Sequence, residues 1–252
     1  MARHDALGAD AGARRDEHSY ATRDRLARRP PRYRVLMLLA EDLLLLLTDD
    51  QSGKASLDVT RVDLALAGAV LVALVTRERV AIAQPGGPVK AGRVVGVDGS
   101  PSGGGILEEG LRRIATGKPR KPEALLPVLR KDLRRAVYGP LAARGIVREE
   151  EGKILGLFPT RSWPAVDSQH EVMVRTALRE VLVDGRAPTL TEASLVSLLQ
   201  GIDRVPDTLG EVGVPARELR RRAKTIATGH LGNTAVHKAV EAVNAAMVAS
   251  IA

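Results

Sequence analysis

The stretch MLLAEDLLLLLTDDQSGKAS, residues 37–56, places five consecutive leucines between two pairs of acidic residues. A helix that spans a bilayer needs about 20 apolar residues. The apolar run that contains the leucines, residues 35–47, has 13 residues and is interrupted by Glu41 and Asp42. A second apolar run, residues 64–75, has 12 residues and charged residues on both sides. Both runs are too short to span a bilayer, so we predict core helices of a soluble protein, with the acidic pair on the polar side of an amphipathic helix.

The composition indicates a globular protein with an aliphatic core. Hydrophobic residues make up 44% of the 252 residues and aromatic residues only 2%, which favours packed helices. The chain has no cysteine, which excludes disulfides and thiolate metal sites within it. The net charge of +8 favours a polyanionic partner, either nucleic acid or an anionic membrane surface. Because base stacking needs exposed aromatic side chains, the scarcity of aromatic residues weakens the nucleic-acid alternative.

The first 34 residues are polar and contain nine arginines against five acidic residues. They lack the apolar segment of a signal peptide, and we predict a disordered Arg-rich arm over residues 1–34. The arm is either a tether to a protein client or an anionic surface, or a solvated tail. Residues 35–252 are predicted to form the folded domain.

Hydrophobic periodicity and helix start and stop signals over residues 35–252 predict a mainly α, single compact helical domain with one or two small β-hairpins. Residues 79–83 and 92–100 are predicted to form the first hairpin. A long helix is predicted to begin at Pro122. A second hairpin follows it, with EEEGK (residues 149–153) as the turn and residues 154–158 in the second strand. Four helices are predicted in the C-terminal third.

Motifs for catalysis are missing from the sequence. The five histidines do not have metal-ligand spacing, and the glycine-rich residues 92–105 lack the patterns of nucleotide-binding loops. The nucleophile motif GxSxG does not occur either. We therefore expect no enzyme activity, no metal and no cofactor.

Basic residues are concentrated between residues 107 and 148, where eleven Lys and Arg residues stand against four Asp and Glu residues. On one continuous helix, Lys131, Arg134 and Arg135 have the spacing of side chains that project from the same face, and Tyr138 extends that row. Such a face can hold a phosphate through charge-assisted hydrogen bonds. The alternative is a solvated basic face, which is also our interpretation of a second basic run over residues 217–224.

Four blocks in this order carry a resemblance to a known family: LMLLAEDLLLLLTDDQSGK (36–54), ALAGAVLVALVTRERVAI (65–82), LRKDLRRAVYGPLAARGIV (129–147) and ILGLFPTRSWP (154–164). Over roughly residues 35–250 the chain resembles the Golgi phosphoprotein 3 family. The resemblance implies a largely helical single domain. Eukaryotic members bind phosphatidylinositol 4-phosphate on the cytosolic side of Golgi membranes and help to retain glycosyltransferases through coatomer. Abundant arginine and alanine are typical of a high-GC bacterial genome, so we expect a bacterial member.

The resemblance also implies positions for a lipid-phosphate pocket. Two of the family's basic residues correspond to Lys131 and Arg134, while a tryptophan and an arginine of the family correspond to Asp58 and Ala67. Since Asp58 would repel a phosphate, strict specificity for the 4-phosphate is not implied, and Arg61 is the nearby candidate to replace the missing arginine. The family's apolar hairpin, which serves self-association and membrane contact, corresponds here to Ile154, Leu155, Leu157 and Phe158. Packing of these residues onto the domain is the alternative.

We therefore predict a cytoplasmic, peripherally membrane-associated protein that is not an enzyme. Its headgroup-binding residues would be Lys131, Arg134, Arg135 and Arg61, and its partner an anionic phospholipid membrane, with phosphatidylinositol 4-phosphate as the model ligand. A homo-oligomer and a protein client remain open. The alternative is a winged-helix regulator that binds DNA. A predicted turn with three glutamates, residues 149–151, would face DNA phosphates unfavourably, so we expect no nucleic acid.

Overall fold

Helices make up most of the described part of the chain. The computed structural model describes residues 38–99, 105–154, 158–229 and 234–251, all within one compact unit. In chain order the elements are α1 (Leu39–Leu46), α2 (Val59–Thr76), β1 (Val80–Ile82), β2 (Val94–Gly96), α3 (Gly105–Ala115), α4 (Pro122–Leu129), α5 (Leu133–Ala143), β3 (Glu150–Ile154), β4 (Phe158–Ser162), α6 (Gln169–Leu182), α7 (Leu190–Gly201), α8 (Val205–Leu209), α9 (Ala216–Gly229) and α10 (Thr234–Ile251). The mainly α fold class is confirmed. The predicted arm lies outside the described residues.

Helix α2 is the centre of the core. It begins after Asp58, whose side chain accepts a hydrogen bond from the backbone N–H of Arg61 at 3.0 Å, as expected of an N-cap. Every residue from 64 to 75 is buried, and α1, α3, α4, α5, α7 and α10 all pack against this helix. Among the described helices, α2 has the length and apolar composition to cross a membrane, but 72% of that segment is buried within the protein. Its packing therefore identifies it as a core helix, as predicted, although the helix extends beyond the apolar run of residues 64–75 on which that prediction rests.

Helix α1 is buried along its whole length, including both of its acidic residues. Glu41 accepts a hydrogen bond from Arg144 at 2.6 Å, and Asp42 lies 2.7 Å from the imidazole Nε2 of His170. The prediction that these acids lie on the polar side of an amphipathic helix is wrong, because every residue of α1 is buried. A buried carboxylate is costly unless it is paired, and here each pair joins α1 to another element: the end of α5 and the first turn of α6.

The loop between α1 and α2 is held against the base of the second hairpin. Tyr138 stacks on Trp163 with 4.1 Å between ring centroids, and its hydroxyl lies 2.7 Å from the hydroxyl of Thr48. Gly53 has φ +62°, and a Cβ there would lie 2.2 Å from the backbone nitrogen of Pro164. Tyr138 is 1% exposed. It therefore belongs to the core, and the prediction that it extends the basic row is wrong.

Both predicted hairpins are present, but the second has a different register. Strands β1 and β2 are antiparallel, as are β3 and β4. The segment predicted as a turn, EEEGK, lies almost entirely in β3, where Glu151 pairs with Arg161 of β4. Arg161 lies 3.4 Å from the carboxylates of both Glu149 and Glu151, so β4 neutralises part of this negative charge, and the prediction of a turn at residues 149–153 is wrong. Ile154 pairs with Phe158 at the far end of the ladder.

The hairpin residues that we predict for membrane contact therefore sit on both sides of the connection between β3 and β4. Leu155 and Leu157 lie outside the described residues. Ile154 and Phe158 are described only through their backbone pairing. Their contact with a membrane or with a second copy stays a prediction.

Candidate anion-binding site

The predicted long helix is two helices, α4 and α5, and the predicted basic residues lie where they meet. Helix α4 ends at Leu129, and Asp132 takes a left-handed conformation with φ +57° before α5 begins. Arg113 of α3 donates hydrogen bonds from one guanidinium nitrogen to the carbonyls of Val128, Leu129 and Lys131, at 3.2, 3.2 and 2.7 Å. Carbonyls at a helix C-terminus need such partners, so this arginine stabilises the break.

The break changes the geometry that the sequence suggested. Lys131 lies in the connecting turn, while Arg134 and Arg135 are in the first turn of α5. The three cations are close along the chain, but they do not share a continuous helix face. Arg130 of the same turn, which we did not select from the sequence, joins them. We call Arg130, Lys131, Arg134 and Arg135 the junction cluster.

A half-buried acid from the central helix approaches the junction cluster. Asp63, in α2, has an oxygen 3.6 Å from the Nε of Arg134, and that oxygen has no hydrogen-bond partner among the described atoms. Burial raises the pKa of Asp63, and the charges of Arg134 and Arg130 oppose that increase. At 3.6 Å the ion pair is too long for a hydrogen bond. Arg134 is 28% exposed, so part of its five-donor guanidinium can still face solvent.

The remaining positions of the predicted pocket have local roles in α2. Arg61 forms an ion pair with Asp58 at 3.1 Å, while Ala67 is fully buried in the core. Arg61 and Asp63 are two residues apart, so they project from different sides of a helix with 3.6 residues per turn. Among the described contacts, none joins Arg61 to the junction cluster. The structure thus groups Lys131, Arg134 and Arg135 with Arg130 and leaves Arg61 paired at the start of α2.

The basic run over residues 217–224 lies on α9 and has acidic partners. Arg220 pairs with Asp203, and Glu218 pairs with both Arg221 and Arg222. Arg222 also donates to two carbonyls at the end of α6, each at 2.9 Å. These contacts agree with the interpretation of this run as a helix surface.

The family model for Golgi phosphoprotein 3 (GPP34) matches residues 39–243, about four fifths of the chain. The chain belongs to the Golgi phosphoprotein 3 family. No curated protein matches it. The resemblance predicted from the four sequence blocks is confirmed, and the matched region begins with α1 and contains the junction cluster and both hairpins of this Golgi phosphoprotein 3 family member.

Proposed function

We propose that this protein is a peripheral membrane protein, without enzyme activity, that binds an anionic phospholipid headgroup at the junction cluster. Phosphatidylinositol 4-phosphate is the model ligand that the family suggests. Membership of the Golgi phosphoprotein 3 family is the observation that carries the proposal. The protein would act on the cytoplasmic side of a membrane and associate with it reversibly.

The charges of the junction cluster fit a phosphate ligand. Four cations lie within six residues, and Lys131 and Arg135 are exposed. Lys131 contributes a compact ammonium charge, whereas Arg134 offers a planar fork that can bind two oxygens of one phosphate. Asp63 and Asp132 reduce the net charge but leave it positive. The arrangement therefore supports attraction for anionic headgroups.

Asp58 and Ala67, which replace a tryptophan and an arginine of the family's pocket, support broad headgroup recognition. Asp58 caps α2 and carries a negative charge, and Ala67 offers no hydrogen-bond donor from its buried methyl group. A pocket that lacks these two contacts has fewer ways to distinguish one phosphate position from another. We propose general affinity for phosphorylated or anionic headgroups rather than strict specificity for the 4-phosphate.

Regions outside the junction cluster would also contribute to the free energy of membrane binding. The predicted arm, residues 1–34, would add about 1 kcal/mol per basic residue that lies near an anionic membrane. The apolar residues around the β3–β4 connection would add membrane contact or self-association, and the arm is the candidate binding segment for a protein client. Because several of these terms are electrostatic, membrane binding should weaken as salt increases.

Liposome co-flotation tests the proposal. Wild type should float with vesicles that contain phosphatidylglycerol, cardiolipin or phosphatidylinositol 4-phosphate and not with neutral phosphatidylcholine vesicles. The double variant Lys131→Glu/Arg134→Glu should lose this binding. The matched control, Arg217→Glu/Lys224→Glu, makes the same change of charge at two exposed positions of α9 and should float like wild type. Equal loss in both double variants would show only a dependence on net charge and would refute the assigned site.

The variant Asp63→Asn tests the site in the opposite direction. Since Asp63 neutralises part of the charge of Arg134, removing its charge should strengthen flotation with anionic vesicles. Flotation unchanged or weakened in a folded Asp63→Asn protein would contradict the role of Arg134. Failure of wild type to float with any vesicle, together with retarded migration of duplex DNA, would favour the winged-helix alternative.

A further inference from the structure

Beside Lys131 there is a cavity of about 200 Å³, between α3, α5 and the turn that precedes α5. Its wall is largely aliphatic and is formed by Val70, Ile106, Leu129, Leu133, Ala136 and Pro140. Gly110 lies at the floor, where a Cβ would come within 2.8 Å of Val70. Glycine at this position therefore lets α3 lie close against α2 and shapes the cavity.

Four charged residues surround the cavity: Glu109, Arg113, Lys131 and Asp132. Glu109 receives hydrogen bonds from Arg112 and Arg113, which lower its pKa to about 2, and Arg113 also binds the carbonyls that end α4. These two residues are thus occupied by each other and by the backbone. Within the described part of the chain, Lys131 has no ion-pair partner. It is the cation at this edge that remains available to a ligand.

An aliphatic cavity with an available cation at its edge matches an amphiphile. We propose that the cavity holds the alkyl chain of a single-chain anionic amphiphile whose head lies at Lys131. The inference rests on the proposed headgroup function, because both place the anion at Lys131. A methylene occupies about the volume of one water molecule, ~30 Å³, so a cavity of about 200 Å³ holds about six methylenes of an alkyl chain. Asp132 lies at the same edge and opposes the anion, and the other cations of the junction cluster offset it.

The chain length of the ligand provides the test. Binding of inorganic phosphate, butyl, hexyl and octyl phosphate to the full chain can be followed by NMR chemical-shift titration, below the micelle concentration of each ligand. Each buried methylene is worth ~0.8 kcal/mol, which corresponds to an affinity increase of about fourfold. Affinity should therefore rise steeply from butyl to hexyl phosphate and level off towards octyl phosphate. Octanoate, with a carboxylate head on an alkyl chain, distinguishes fatty acids from alkyl phosphates as the source of the ligand.

Two alanine-to-leucine variants test where the alkyl chain of the ligand binds. Ala136→Leu places three additional carbons at the cavity wall, while Ala124→Leu makes the same change at an exposed position of α4 outside the cavity. Ala136→Leu should lower the affinity for octyl phosphate at least tenfold and leave inorganic phosphate unaffected, and Ala124→Leu should change neither. Equal affinities for butyl and octyl phosphate, or octyl phosphate binding unaffected by Ala136→Leu, would overturn the inference.

The same titrations separate this inference from the proposed function. Phosphate binding that is lost in Lys131→Met but does not depend on chain length would support the headgroup site and overturn the alkyl cavity. The other outcome is binding that increases with alkyl length but changes neither in Lys131→Met nor with the charge of the ligand's head. That result would overturn both the headgroup site and the placement of the head at Lys131. Circular dichroism of each variant shows whether a loss of binding reflects loss of the fold.

Discussion

Glu171 should make the stability of this protein depend on pH in a direction unusual for a carboxylate. It lies in the first turn of α6, is 4% exposed, and accepts a hydrogen bond from Arg175. Burial raises its pKa from 4.5 to about 7, with a smaller contribution from Asp50, while Arg175 opposes the increase. The guanidinium of Arg175 also donates a hydrogen bond to the carbonyl of Thr208 at 2.7 Å, and this bond connects α6 to α8.

The pKa values of Glu171 in the folded and unfolded states set the direction and the size of this pH dependence. The folded state holds a proton on Glu171 between pH 4.5 and about pH 7, where the unfolded state releases it. This contribution to the free energy of unfolding is complete below pH 4.5, decreases as pH rises, and is lost above about pH 7. The change amounts to ~1.4 kcal/mol per pH unit, or ~3 kcal/mol in total.

The variant Glu171→Gln isolates this contribution because glutamine does not titrate. Urea denaturation of both proteins at several values between pH 4.5 and pH 8 yields the free energy of unfolding. Relative to wild type, Glu171→Gln should gain ~3 kcal/mol over this range. Glu211→Gln, which removes an exposed carboxyl outside the described ion pairs, controls for the loss of one acid. Parallel pH profiles for wild type and Glu171→Gln would refute the assignment of a protonated, buried Glu171.

Three further substitutions test the packing that holds the site in place, each by chemical denaturation with wild type as reference. Gly53→Ala should cost more than ~2 kcal/mol, because its Cβ would overlap the backbone of Trp163 and its φ is +62°; a stability like that of wild type would contradict this close approach. Tyr138→Phe should cost ~1–2 kcal/mol through loss of its hydrogen bond to the buried hydroxyl of Thr48. No change in stability would mean that this hydrogen bond adds no net stability. Arg144→Ala should cost ~3 kcal/mol since it leaves the Glu41 carboxylate buried without its partner, and a cost below ~1 kcal/mol would contradict the stabilising role of this ion pair.

Local patterns were sufficient to predict most of the helices. The C-terminal helices α6, α7, α9 and α10 show apolar periodicity that acts within one helix, glycines mark the ends of the first three, and Thr189 caps α7. The short helix α8, Val205–Leu209, was not predicted, because five residues offer too little periodicity. The first hairpin was predicted correctly from two short apolar runs on either side of a Pro-Gly-Gly turn.

The errors occur where a distant residue decides the local structure. Arg113 ends α4 from another helix, so the continuous periodicity from Leu126 to Leu141 did not reveal the break at Asp132. Arg161 of the opposite strand pairs with two glutamates of the second hairpin, a partner that the acidic run alone did not reveal, and the prediction of a turn there was wrong. Arg130 was missed for the same reason, because its electrostatic interaction is with Asp63, which is distant in the sequence and near in space.

The sequence by itself determined the helical fold class, the central position of α2 and the family. These depend on apolar periodicity, on the length of apolar runs and on the order of four blocks, all of which can be read along the chain. Only the tertiary structure decided that Glu41 and Asp42 are buried and paired, that Tyr138 belongs to the core, and that Lys131 borders an apolar cavity. The physical reason is that burial, ion pairing and cavity shape depend on which distant side chains meet, and local spacing carries no information about those partners.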